Sequence, residues 1–371
     1  MIQKFFVTLV CAFLTLPLIN EFISIEPQIV LTENRQTADV PKFNGSYTQY
    51  IREIESYYND HFGFRNFLVF SANLITLKVF NESSTDKVII GKSGWIFFAG
   101  EQEEFHKKEK IINIENILQG LLHWKNKFEN LNIPFIFFIA PDKQTVYPEY
   151  LKYPQAEWKQ VKSLEIYNTQ IQKELGSTFI NTLPLLNDAK GKGKKLYFKA
   201  DSHWNDIAAF EVYERVMDAL LLDKNLANIQ KLKLQDCKVE RRLYTGDLVR
   251  IFWGIGRLYD EFEFFIDVPS KDFIKVTPFI DHYKDVPITK EFYVAENHSK
   301  LNTRNQKTLL AVRDSQFIPM IPLFAESFSK VILINVWEDN ASIERIIALE
   351  KPDAVLFESV ERGLIPFLKK L

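Results

Sequence analysis

Ile133 to Ala140 reads IPFIFFIA, a run with no charged or hydrogen-bonding side chain. It is too short to cross a bilayer and too uniformly apolar for a half-exposed strand, whose residues would alternate. It fits a strand in the middle of a parallel sheet, covered on both faces. Shorter apolar runs recur at Leu309 to Val312, Val331 to Val336 and Ala354 to Phe357. Apolar residues fall at helical spacing in Ile111 to Leu131, Trp158 to Leu175, Asn205 to Leu222, Pro319 to Phe328 and Ser342 to Leu349. Strands alternating with helices predict an α/β fold on a doubly wound parallel sheet. Leu232 to His298 is less regular, rich in Phe, Tyr and Asp, and is expected to form an insertion or cleft wall.

The 371 residues suffice for two domains or one large domain with additions. A hydrophobic fraction of 46% supports a sizeable core and excludes a disordered chain. Lys plus Arg number 46 against 48 Asp plus Glu, so the basic excess that nucleic acid demands is missing and no such partner is expected. Cys11 and Cys237 are too few for a disulfide scaffold or a cysteine-based zinc site.

Lys4 precedes Phe5 to Ile19 (FFVTLVCAFLTLPLI), the layout of a secretory signal. The apolar stretch falls short of the ~20 residues of a comfortable membrane span. No small-x-small cleavage site follows closely, so residues 1–25 are expected to form a signal-anchor or signal peptide. The remainder is then periplasmic or otherwise extracytoplasmic, tethered to the inner membrane through the N-terminus. Residues 26–85 read as a linker with Pro27 and Pro41, then two helices broken near Gly63. Residues 86–371 read as the main α/β domain. It opens with KVIIGKSGWIFF, two short strands around a Gly91 to Gly94 turn. Gly91-Lys92-Ser93 is no phosphate loop, because Asp86 stands where that motif needs its first glycine.

Ligands of open α/β sheets gather at the carboxyl ends of the strands. Polar clusters follow three of the predicted strands: Pro141-Asp142-Lys143, Arg313-Asp314-Ser315 and Glu358 to Arg362. A fourth, Asp201-Ser202-His203-Trp204, follows Leu196-Tyr197-Phe198. In an extended segment Asp201 and His203 share a face, so the carboxylate can fix one imidazole tautomer and leave the other nitrogen as a base. The same pair has ligand-type side chains, with His282 and His298 elsewhere, so a metal site competes with catalysis. A surface histidine beside a helix capped by Asn205 or Asp206 is the structural alternative. Ser315 stands at a strand-to-helix junction, where its N–H can face an oxyanion or its hydroxyl can cap. G-x-S-x-G, H-E-x-x-H, C-x-x-C and G-x-G-x-x-G are all missing.

Seven segments in order resemble the alginate O-acetyltransferase type of SGNH-hydrolase-like proteins, which help acetylate exported polysaccharides. They are NDHFGFRN (from Asn59), KVIIGKSGWIFF (Lys87), APDKQTVYPEYL (Ala140), DSHW (Asp201), TGDL (Thr245), RDS (Arg313) and KPDAVLFESVER (Lys351). The resemblance implies a circularly permuted SGNH domain, because the Asp/His pair here precedes the serine strand. It implies Ser315 as nucleophile, His203 as base and Asp201 as its orienter, with no cofactor and no metal. Lys143 and Arg362 are implied as contacts bordering the cleft. Trp204, Trp253 and Tyr147 are aromatic residues able to stack on sugar rings. The implied partners are a polysaccharide acceptor and a membrane-bound acyltransferase as acetyl donor. Gln316 departs from the family, which commonly continues D-S with Phe; here Phe317 comes one place later. O-acetyl transfer is the expected activity. The alternatives are an acetylesterase with the same residues and a non-catalytic scaffold for polysaccharide biosynthesis.

Overall fold

The computed structural model describes residues 2–23, 27, 36–99, 114–115, 117–152, 160–252, 259–278, 292–299 and 306–371. The proposed stacking residue Trp253, His282, part of the expected linker and the start of the helix expected from Ile111 lie outside the described residues.

The sheet holds seven strands: β3 (Phe135–Ala140), β4 (Phe179–Ile180), β7 (Ile274–Pro278), β8 (Tyr293–Asn297), β9 (Thr308–Arg313), β10 (Lys330–Asn335) and β11 (Ala354–Val360). Their order is β4-β3-β11-β9-β10-β8-β7. The first five are parallel, and β8 and β7 add an antiparallel edge. The apolar runs therefore fall in the centre: β3 and β11 are buried along their whole lengths, as strands covered on both faces must be. The antiparallel edge extends the expected parallel sheet from within the irregular stretch, where β7 has no fully buried residue.

The flanking helices are α4 (Gln119–Asn130), α6 (Gln160–Leu175), α7 (Thr182–Gly191), α8 (Asp206–Leu220), α10 (Ile321–Ser327), α11 (Asn340–Glu350) and α12 (Leu364–Lys370). Helix α8 begins where Asn205 accepts hydrogen bonds from Ile207 N and Ala208 N, each at 3.1 Å, so Asn205 rather than Asp206 is the cap. The chain leaves β9 for β10 on one side and leaves β3 for β4 on the other. Oppositely directed connections open a crevice beyond the carboxyl ends of the central strands.

A hairpin of β1 (Val88–Ile90) and β2 (Ile96–Phe98) packs on that end of the sheet. Gly91 is required at its turn: a Cβ there would lie 2.5 Å from Tyr150 O. A second ribbon pairs β5 (Lys238–Tyr244) with β6 (Glu261–Asp267) and supplies the cleft wall expected of the irregular stretch. Ahead of the domain, α1 (Ile2–Ile23) precedes α2 (Tyr47–His61) and α3 (Arg65–Ile75). The break near Gly63 is real, and that glycine lies under α1, where a Cβ would meet Pro17 O at 2.7 Å. Among the described residues no helix is long and apolar enough to cross a membrane.

Candidate active site

The loop between Tyr197 and Trp204 is closed by a bridge between those two residues. Within it Asp201-Ser202-His203 is a bend, not the extended segment expected from the sequence. The reason is local: Asp201 Oδ1 accepts the His203 N–H at 2.9 Å, turning the backbone two residues on. The same Oδ1 lies 2.7 Å from His203 Nδ1, and His203 Nε2 lies 2.9 Å from Ser315 Oγ. Residues 112 apart in sequence thus form one row, Asp201–His203–Ser315.

Ser315 reaches this row because β9 delivers it to the carboxyl end of the central sheet. Asp314 caps the 3-10 turn that begins at Ser315, accepting Gln316 N at 2.9 Å, and also takes the Val360 N–H at 2.6 Å. The Ser315 N–H belongs to the first turn, outside the internal ladder, and is available to an oxyanion. Glu358 accepts Asp314 N at 2.9 Å, and burial together with the Asp314 charge holds its carboxyl neutral well above the usual range.

Asp201 is 1% exposed, and its other oxygen accepts the Tyr244 hydroxyl at 2.6 Å and the Asp247 N–H at 2.8 Å. Burial opposes charge on Asp201, but the His203 hydrogen bond and charge, with these further donors, outweigh it and hold the carboxyl well below the usual range. Burial also disfavours an imidazolium at His203, yet the bond from Asp201 and the charges of Asp201 and Asp247 raise it above the ordinary histidine value. Asp201, His203 and Asp247 lie close enough together to suggest a metal site. However, both oxygens of Asp201 and the Nδ1 of His203 are already engaged in hydrogen bonds with one another and with their neighbours.

Two elements press on the loop from behind. The TGDL segment runs so close that a Cβ at Gly246 would lie 1.9 Å from Ala200 O, which is why glycine stands there. Asp247 then accepts Ser202 N at 2.7 Å and the Ser202 hydroxyl at 2.6 Å. On the other flank, Lys143 donates to the carbonyls of Phe198 (3.0 Å), Lys199 (2.9 Å) and Asp201 (2.5 Å).

These contacts bear on four expectations. Lys143 is 1% exposed with its donors engaged, so it holds the loop instead of meeting substrate. Trp204 is fully buried at the base of the smaller cleft described below, its indole N–H donating to Gln316 O at 2.7 Å. Tyr147 is 5% exposed and stacks on Trp95, its hydroxyl accepting the Leu196 N–H at 3.0 Å. Arg362 is largely buried, pairs with Asp142 at 2.5 Å and lies over the Phe98 ring, close enough for its charge to act on His203 without lining either cleft described below. A sequence reveals residue type at a strand end but not burial, and all four are polar or aromatic residues claimed by the interior.

Gln316 and Asp247 were the residues missed. Gln316, fully buried, accepts Trp204 N at 3.2 Å and donates to Ser202 O at 3.2 Å, so the residue that departs from the family pattern fastens the serine turn to the Asp/His loop. The only signal for either was position: Gln316 follows Ser315, and Asp247 sits in the TGDL segment.

Two clefts meet at Ser315 and Ile318. One, about 280 Å³, is walled by Phe198, Asp201, His203, Tyr244, Asp247 and Phe265. The other, about 570 Å³, is walled by Val276, Tyr293, Arg313, Leu333, Asn335 and Trp337.

Residues 88–263 match the family described as SGNH hydrolase-like domain, acetyltransferase AlgX, a span that contains Asp201 and His203 and ends before Ser315. The resemblance drawn from the sequence motifs holds over that span. Among solved structures, PatB1 of Bacillus cereus superposes with a TM-score of 0.57 at 16% identity, covering 76% of this chain and 97% of that one. The same protein with a sulfonyl adduct gives a TM-score of 0.54 at 16% identity, covering 76% and 96%. The O-acetyltransferase domain of Pseudomonas putida AlgJ gives 0.44 at 15% identity, covering 75% and 91%. No curated protein matches by sequence. The PatB1 superpositions establish a shared fold.

Proposed function

We propose that this protein is an O-acetyltransferase that passes an acetyl group through an acyl-serine at Ser315 to hydroxyls of an exported polysaccharide. The observation that carries this reading is the row Asp201–His203–Ser315 at the carboxyl end of the sheet, with spacings of 2.7 and 2.9 Å. The family match to an acetyltransferase domain supports the choice of acyl group. As Ser315 Oγ attacks the donor's carbonyl carbon, His203 Nε2 takes its proton and Asp201 stabilises the imidazolium. The Ser315 N–H faces the developing oxyanion, and the imidazolium returns its proton to the leaving group. His203 then deprotonates a sugar hydroxyl, whose oxygen attacks the acetyl carbonyl; the bond to Ser315 Oγ breaks, and the imidazolium returns its proton to that oxygen. Base assistance of this kind is worth about 10²–10⁴-fold.

The donor is a membrane-bound acyltransferase partner, and the protein works outside the cytoplasm, tethered by its N-terminal segment. Support for the tether is the apolar helix α1, which exposes Phe5, Phe6 and Val7. The reading is tested by giving the full-length protein a chromogenic acetyl ester with and without a panel of polysaccharides. Acetyl gained by one glycan, and lost with Ser315→Ala, is the expected result. Ester cleavage with every added glycan left unacetylated would identify an esterase instead, and equal behaviour of wild type and Ser315→Ala would sink both.

A further inference from the structure

Resting on the reading of His203 as the base, we propose that Asp247 is a second carboxylate for that imidazole. It and Asp201 both face the half-buried imidazole, with Lys143 behind the loop, and the two carboxylates together favour the protonated ring. Lys143 has three acceptors between 2.5 and 3.0 Å, matching the three N–H groups of an ammonium where a neutral amine has two. Asp201 accepts on both oxygens, as an ionised carboxylate does. Asp247 likewise accepts from Ser202 N and the Ser202 hydroxyl, and its Oδ2 lies 3.5 Å from His203 Nδ1.

Without Asp247, Lys143 would offset the charge of Asp201, and the imidazolium formed in the reaction would lose a facing carboxylate. The other charged groups nearby are Asp314, next to Ser315, and Arg362, whose guanidinium opposes the proton on His203. The Ser202 hydroxyl lies 3.4 Å from Nδ1, Tyr244 donates to Asp201, and the Arg362 guanidinium is paired with Asp142. Nearby Glu361 is pushed up to about 8 by burial and by Asp142, and so is neutral at pH 7. His203 is raised with Asp247 among the causes, while burial and the Asp201 charge raise Asp247 itself and burial lowers Lys143 to about 7 against the pull of both carboxylates.

The test is the titration of the His203 imidazole by NMR in the full-length protein with isotope-labelled histidine, the signal assigned through His203→Gln. In the wild type it is expected above the ordinary ~6.5. Asp247→Asn should lower it by about one unit, and Lys143→Met should raise it. The double variant should return it to the wild-type value, which also serves should a single variant fail to fold. Ser202→Ala, which removes a hydroxyl and no charge, should leave it in place. A wild-type imidazole titrating below the ordinary value, or an Asp247→Asn titration unmoved, would overturn the proposal. A drop in Ser202→Ala equal to that in Asp247→Asn would reduce Asp247 to a brace for the loop. These titrations are read without catalysis, so a protein that cleaves no ester would defeat the acetyl-transfer reading while leaving this result standing.

Discussion

The two clefts that meet at Ser315 are built differently. On the His203 side, hydrogen bonds tie the polar groups together: Asp201 takes four donors, and Ser202, Tyr244 and Asp247 are fastened to it or to one another. On the far side the cleft has twice the volume, Trp337 is 59% exposed, and the buried Arg313 Nε has no hydrogen-bond partner. A satisfied network fixes one arrangement, as proton transfer within one hydrogen bond requires. An open wall with an exposed aromatic ring leaves room for a ligand. The smaller cleft thus suits the chemistry and the larger one suits holding what is acetylated.

The contrast can be broken first at its shared ridge. Ser315→Ala or His203→Ala is expected to lower acetyl-ester cleavage by at least about 10³-fold, measured as kcat/KM, with the fold intact by circular dichroism. Next is Gln316→Ala, which leaves Trp204 N and Ser202 O without partners. Misplacing the row by about 1 Å costs on the order of 10²-fold in kcat, and the unsatisfied groups about 1–3 kcal/mol in denaturant unfolding. Gly246→Ala should act through the same loop, because its Cβ forces Ala200 away, with a stability loss of about 1–3 kcal/mol.

The pH dependence sharpens the picture of the smaller cleft. His203 must be neutral to act as base, and its value is raised, so kcat/KM should climb through a midpoint above the ordinary histidine value. Stability runs the other way: a raised imidazole contributes stability that is fully present below its unfolded value and is lost as pH rises through the folded one. The smallest effect belongs to the larger cleft. Trp337→Ala should leave cleavage of a small ester unchanged while raising the KM for a polysaccharide acceptor a few-fold, since one aromatic contact is worth about 0.5–1.5 kcal/mol.

The same contrast explains what the sequence disclosed. Strands β3, β9, β10 and β11 were legible because burial on both faces leaves uniformly apolar runs. Strand β4 has two residues and carries no pattern, and β7 and β8 form an edge whose mixed residues read as irregular. Asp201, His203 and Ser315 were found because they sit just beyond such elements and carry the chemistry in their side chains. Lys143, Tyr147 and Trp204 have suitable side chains too, yet the fold turns them inward. Gln316 and Asp247 serve through contacts across 112 to 114 and 45 to 46 residues, a relation that no local pattern encodes.

The central claim is a covalent acetyl-Ser315, and mass spectrometry of the full-length protein quenched during turnover of an acetyl ester tests it most directly. The account predicts an added acetyl group on the peptide bearing Ser315, accumulating in the absence of acceptor and discharged when acetylatable glycan is added. An active enzyme whose acetyl group is found on another residue, or that turns over with Ser315→Ala in place, would contradict it.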